Sequence, residues 1–181
     1  MMGMIYTELV DMMEAKFSLD LVDRVLARAR LSGSWTLGGA YPDEELFAMV
    51  GALSEETGIP VGDLLHAYGK HLFGTFINGH GRFFEGHTDA FSFLRVLEST
   101  VHSEVRRLWP VAVPPRFTPS DLPDGTFTLR YESERGMARL AKSLLESSIE
   151  HFGPPLDIVE EDRSEGAGKD VLFHLVPAKA D

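Results

Sequence analysis

The chain has 181 residues, with 28 acidic side chains against 17 Lys plus Arg, a formal charge of −11 with histidine neutral. It is 44% apolar and lacks cysteine, which suits one domain burying roughly two-thirds of its unfolded surface without a disulfide or metal staple. This balance speaks against a phosphate-neutralising nucleic-acid binder and against docking on an anionic membrane, and it excludes a disulfide scaffold, a Cys nucleophile and any thiolate-held metal.

The predicted elements begin with helices. Ile5, Leu9, Met12 and Met13 recur at helical spacing, and Leu19 to Leu31 repeats the pattern through Val22, Leu26 and Ala29. Gly33–Tyr41 reads as a loop. Pro42-Asp43-Glu44-Glu45 starts a helix with acids at its positive dipole end, running to about Thr57 and stopping at Gly58. Asp63 to Ile77 is the next helix, and Asn78-Gly79-His80-Gly81 a turn. From about Thr88 to Trp109 comes the longest helical pattern. Its stripe is Leu94, Leu97, Val101, Val105 and Leu108, ending at Pro110, with Val113-Pro114-Pro115 extended beyond.

The period then changes. Pro123-Asp124-Gly125 signals a turn, and Thr126 to Tyr131 alternates as a strand with Phe127, Leu129 and Tyr131 on one face. Arg135 to Phe152 is helical again. Leu156–Val159 and Val171–Val176 are strands around the polar loop from Glu161 to Asp170. Helices first and strands late predict an α+β fold, a helical N-terminal lobe packed on a C-terminal lobe with a small antiparallel sheet and helices. One domain over 1–181 is expected, with the lobes dividing near residue 60. No stretch approaches a membrane span, and the start MMGMIYTELVDMMEAK lacks a signal-peptide pattern, so a cytoplasmic chain is expected. Nothing demands an oligomer, so a monomer is expected.

Three places could carry chemistry. His102, alone among seven histidines, flanks the apolar stripe about a quarter-turn from its centre on a straight-helix wheel, sharing that flank with Phe91 and Glu98. It faces either a second apolar compartment or simply the boundary of the core. Tyr131, Ser133 and Arg135 share one strand face if the strand continues, while Glu132 and Glu134 point away. That face offers hydrogen-bond donors without an anion, suited to carboxylates or phosphates; equally, Arg135 could pair with a local acid. The prolines ending in Pro115 either terminate the helix or wall a planar ligand. Gly166-Ala167-Gly168-Lys169 lacks phosphate-loop spacing and reads as a hairpin turn, and Ser133, Ser143 and Ser147 lack a nucleophile elbow.

These pieces form a set. His102, within Ser99-Thr100-Val101-His102-Ser103-Glu104-Val105, is followed 13 residues on by Pro115, then by Tyr131-x-Ser133-x-Arg135. With Met4-Ile5-Tyr6 to Met12-Met13 and Tyr41-Pro42-Asp43-Glu44-Glu45-Leu46-Phe47 through Gly69-Lys70, the whole chain resembles an H-NOX domain, the bacterial relative of the haem domain of soluble guanylate cyclase. The resemblance implies haem b between the two lobes. His102 would be the proximal iron ligand, and Tyr131, Ser133 and Arg135 would bind the propionates. Pro115 would press on the porphyrin, with Ile5 touching its other side. Leu140 and Leu144, with the helix around Phe73–Ile77, would complete the distal wall.

Two departures matter. Oxygen-binding relatives carry a distal tyrosine where this chain has Leu140. Bound O₂ needs a hydrogen-bond donor and NO does not, so NO and CO binding without a stable oxy complex is expected. The zinc site of some relatives, built on Cys and His, cannot form. The resemblance implies a gas sensor, not an enzyme, that releases the His102 helix on NO binding and signals to a histidine kinase or a diguanylate cyclase/phosphodiesterase. The alternative is a haem enzyme of peroxidase or NO-dioxygenase type, which would need a distal acid–base group.

Overall fold

The computed structural model describes residues 1–124 and 126–178; the last residue of the expected Pro123-Asp124-Gly125 turn lies outside them. Helix α1 (Gly3–Lys16) buries Tyr6, Leu9, Met12 and Met13. In α2 (Leu19–Ala29), the Ser18 hydroxyl accepts the Leu21 amide at 3.2 Å, satisfying one of the free donors of the first turn. The loop that follows folds back on α1, where Ala40 bridges Met2. Helix α3 (Asp43–Thr57) opens with Asp43, Glu44 and Glu45 in its first turn.

Helix α4 (Val61–His80) extends further than its sequence suggests. Asn78, Gly79 and His80 continue the helix instead of turning, and the chain turns through a short 3₁₀ segment at Gly81–Phe83. Leu64, Tyr68 and Leu72 of α4 join the core of α1–α3, so that core reaches beyond residue 60.

The expected long helix up to Trp109 is three pieces: α5 (Ala90–Val96), a π-turn over Leu97–His102, and α6 (Ser103–Leu108). Its apolar stripe is not uniformly buried. Leu94 is 1% exposed whereas Leu108 is 44% exposed, and the stripe from Leu94 to Leu108 borders a cavity.

Strand β1 (Arg116–Asp121) went unread in the sequence. It pairs antiparallel with β2 (Phe127–Glu132), which buries Phe127, Leu129 and Tyr131. Helix α7 begins at Ala138, not Arg135, and runs to Phe152. Strands β3 (Leu156–Asp162) and β4 (Asp170–Pro177) form a hairpin around the polar loop. The sheet order is β1-β2-β4-β3, every neighbour antiparallel.

A second core fills the C-terminal lobe, joining Phe93 and Leu94 of α5 to the inner sheet face and to Leu145 and Ile149 of α7. The α+β class and the helical-on-mixed arrangement therefore hold. Helices α4 and α7 lock the lobes together. At Gly69 a Cβ would sit 2.5 Å from the Ser143 Cβ, so only glycine allows this approach, and the Ser143 hydroxyl donates to the His66 carbonyl at 2.6 Å.

Candidate functional site

Between the lobes lies a cavity of about 340 Å³ with predominantly apolar walls. That is within the size range of cofactor sites. His102 borders it from the π-turn, together with Leu97 and Val101. A straight wheel sets His102 to one side of the stripe. A π-turn carries about one extra residue, so positions four and five apart share a face, and Leu97, Val101 and His102 come to one wall.

The His102 side chain is 14% exposed, and its Nδ1 lies 3.1 Å from Glu98 Oε2. Burial pushes the imidazole below its usual range, and Glu98 only partly offsets this, so the ring is neutral at pH 7. With Nδ1–H donating to the carboxylate, Nε2 keeps its lone pair, the form in which histidine binds metal. Glu98 itself would be raised by burial. Its contacts with Arg106, the Phe117 amide and His102 outweigh that and hold it low.

Tyr131, Ser133 and Arg135 border the same cavity, by a different route from the one the alternation implies. The strand stops at Glu132, and a turn through Gly136 carries the last two residues round. Gly136 has φ +63°, and a Cβ there would lie 2.4 Å from the Ala167 carbonyl oxygen, so the turn demands glycine. The Tyr131 hydroxyl accepts the Met137 amide at 3.2 Å, and burial raises its pKa. Arg135 does pair with an acid, though a distant one: Nε donates to Asp43 Oδ2 at 2.7 Å, and Nη1 donates to the Val113 carbonyl.

Pro115 borders the cavity beside Val113, Pro114 and Phe117, and Ile5, Leu140 and Leu144 border it from α1 and α7. Tyr6 does not, because it is fully buried and its hydroxyl donates to the Pro42 carbonyl at 2.6 Å. Ser148 reaches the cavity with its hydroxyl already donated to the Leu144 carbonyl. Arg82 also borders it and lies 3.6 Å from Glu104 on α6.

Among the other histidines, His66, His71 and His174 lie against Glu146, Glu8 and Glu161, and His87 and His151 pack on phenylalanine rings. His80 also borders the cavity, with its ring tilted against Phe83 at 6.3 Å. Two pairings that matter here do not follow from the sequence reading. Glu98 is placed on the His102 flank, and its i,i+4 spacing could have shown the contact. Asp43 is placed at a helix start, with no signal of its pairing to Arg135.

An apolar cavity with a neutral imidazole on one wall, and donors but no free anion at one end, has the chemistry to hold an acidic metalloporphyrin. The residues present fit haem: His102 would hold the iron, and Tyr131, Ser133 and Arg135 the propionates. Residues 2–160 match the family model for haem-NO-binding domains, and the chain belongs to that family, the H-NOX haem-binding gas sensors. The H-NOX protein from K. algicida, solved in its Fe(II) unliganded state, is 29% identical with a TM-score of 0.91, and the match covers 99% of this chain and 98% of that one. The H-NOX from Shewanella woodyi, solved in its Fe(II)CO state, is 34% identical with a TM-score of 0.84, covering 98% and 95%. The H-NOX protein from S. oneidensis in its Fe(II)NO state, 22% identical with a TM-score of 0.89 over 99% and 100%, shares the fold. No curated protein matches.

Proposed function

We propose that this chain is a cytoplasmic, monomeric sensor of NO that binds haem b as a single domain, with a helical distal lobe and a proximal lobe, and acts on a separate partner instead of catalysing a reaction. The observation that carries the reading is the convergence of His102 with Tyr131, Ser133 and Arg135 on one apolar cavity. When bound, the haem supplies a ferrous iron able to take NO or CO.

His102 would hold the iron through Nε2, Arg135, Tyr131 and Ser133 would donate to the propionates, and Pro115 would lie against the ring. Ile5, Leu140 and Leu144 form the gas-side wall, and none of them can donate a hydrogen bond to a polar ligand. With the Tyr6 hydroxyl committed to Pro42, this wall favours NO and CO over a stable oxygen complex. Ile5, Leu140 and Leu144 carry no acid–base group of the kind a peroxidase needs, while His80 packs against Phe83 and Arg82 lies against Glu104.

His102 would be the group through which NO binding is read out, and the segment Leu97–Leu108 that carries it would be the element free to change position, a two-state element biased by a ligand that prefers one state. A partner follows this change; the family resemblance suggests a histidine kinase or a diguanylate cyclase/phosphodiesterase.

The test is a visible spectrum of the protein reduced without air, then exposed separately to NO and to air. A Soret band that shifts with NO and does not acquire oxy bands in air supports the reading. A protein that takes up no haem overturns it.

A further inference from the structure

The Glu98 carboxylate is held by three partners beside the cavity. Oε2 accepts the Phe117 amide at 3.1 Å and faces His102 Nδ1 at 3.1 Å, while Oε1 pairs with the Arg106 guanidinium. The three contacts come from three directions: the π-turn itself, α6 and the start of β1. A surface i,i+4 pair swings freely and contributes little. This one is only 26% exposed at Glu98, and β1 fixes it in place.

We infer that Glu98 is a positioning residue that orients His102 and strengthens the bond its Nε2 makes to iron. The inference rests on the proposed role of His102 as haem ligand. A histidine that donates its second ring N–H to a carboxylate has a fixed tautomer and ring angle, and its ligating nitrogen is more basic. A backbone carbonyl acceptor would polarise the imidazole less than an anion does. Glu98 therefore makes His102 a stronger donor, and more ligand free energy is needed to release it. Arg106 tempers the effect by sharing the carboxylate's charge. Glu98 and Arg106 together set the threshold at which His102 lets go, without either one bordering the cavity among the described residues.

The test compares the haem-loaded wild type with Glu98→Gln and Arg106→Ala. Glu98→Gln keeps an acceptor for His102 and Phe117 but removes the charge. Resonance Raman of the reduced protein should show the iron–histidine stretch at lower frequency, and redox titration a higher reduction potential. Haem loss to an acceptor protein should be about tenfold faster, in the range seen when such supporting partners are removed. Arg106→Ala leaves Glu98 in place with its charge unshared, so both spectroscopic and redox shifts should reverse sign. It also serves as the test should Glu98→Gln not fold. Faster haem loss with an unchanged stretch and potential would make Glu98 merely structural and overturn the inference. A wild type that takes haem while neither variant moves the stretch overturns it and leaves the sensor reading intact. A wild type that takes no haem overturns both.

Discussion

Arg135 and Asp43 are 92 residues apart in the chain, and their side chains meet at 2.7 Å across the two lobes. Asp43 also lies 2.8 Å from the Met1 ammonium, so one carboxylate ties the start of α1, the start of α3 and the turn after β2. Burial would raise the Asp43 carboxyl, but the ammonium and Arg135 outweigh it and hold it below the usual range.

A carboxyl lowered in the folded state stabilises the fold above its unfolded pKa, about 3.9. That contribution is lost as pH falls through the lower folded value. Asp43→Asn should therefore cost about 1.5–3 kcal/mol at neutral pH, the scale of a hydrogen bond to a charged group. The gap in thermal midpoint between variant and wild type should narrow below about pH 4. A gap independent of pH from 3 to 7 would remove the electrostatic account.

His102→Ala removes the only imidazole of the π-turn wall. The purified protein should lose its Soret absorbance, and added imidazole should restore it by occupying the vacated space. Full haem retention without imidazole would assign the ligand elsewhere.

Leu140→Tyr places a hydroxyl on the wall shared with Ile5 and Leu144. A hydrogen bond to a partly charged ligand is worth about 1.5–3 kcal/mol, on the order of 10- to 150-fold in dissociation constant. Air should then give stable oxy bands absent from the wild type. If the wild type already holds oxygen, the apolar-wall argument fails.

Gly136→Ala forces a side chain into left-handed backbone against the Ala167 carbonyl. We expect a loss of about 1–3 kcal/mol in urea or thermal unfolding, the usual cost of strain of this kind. Haem retention should also weaken, because Arg135 hangs on the same turn.

Most of this was legible in the sequence where a residue's neighbours are local. Helix α3 announced itself through its acidic first turn, and β2 through strict alternation. The elements that escaped did so for physical reasons. Pro119 hides β1, since proline reads as a strand breaker; β1 tolerates it because it is an edge strand. The π-turn is invisible to a wheel drawn at one fixed angle, so His102 read as a boundary residue. Asn78-Gly79 normally ends a helix, yet α4 continues through it. The approach of Tyr131, Ser133 and Arg135 was anticipated, but by an unbroken strand instead of a glycine turn. Asp43 could not be matched to Arg135, because nothing local relates residues that far apart.

Both open sides of the sheet are closed to further strands. On one side, Pro119 interrupts the outer row of N–H groups of β1. On the other, β3 carries Asp157, Glu160, Glu161 and Asp162, charges that repel a second copy of so acidic a chain. A second copy of this chain therefore finds no sheet edge to extend, and the hydrogen-bonding grammar of backbone against backbone is not available to it.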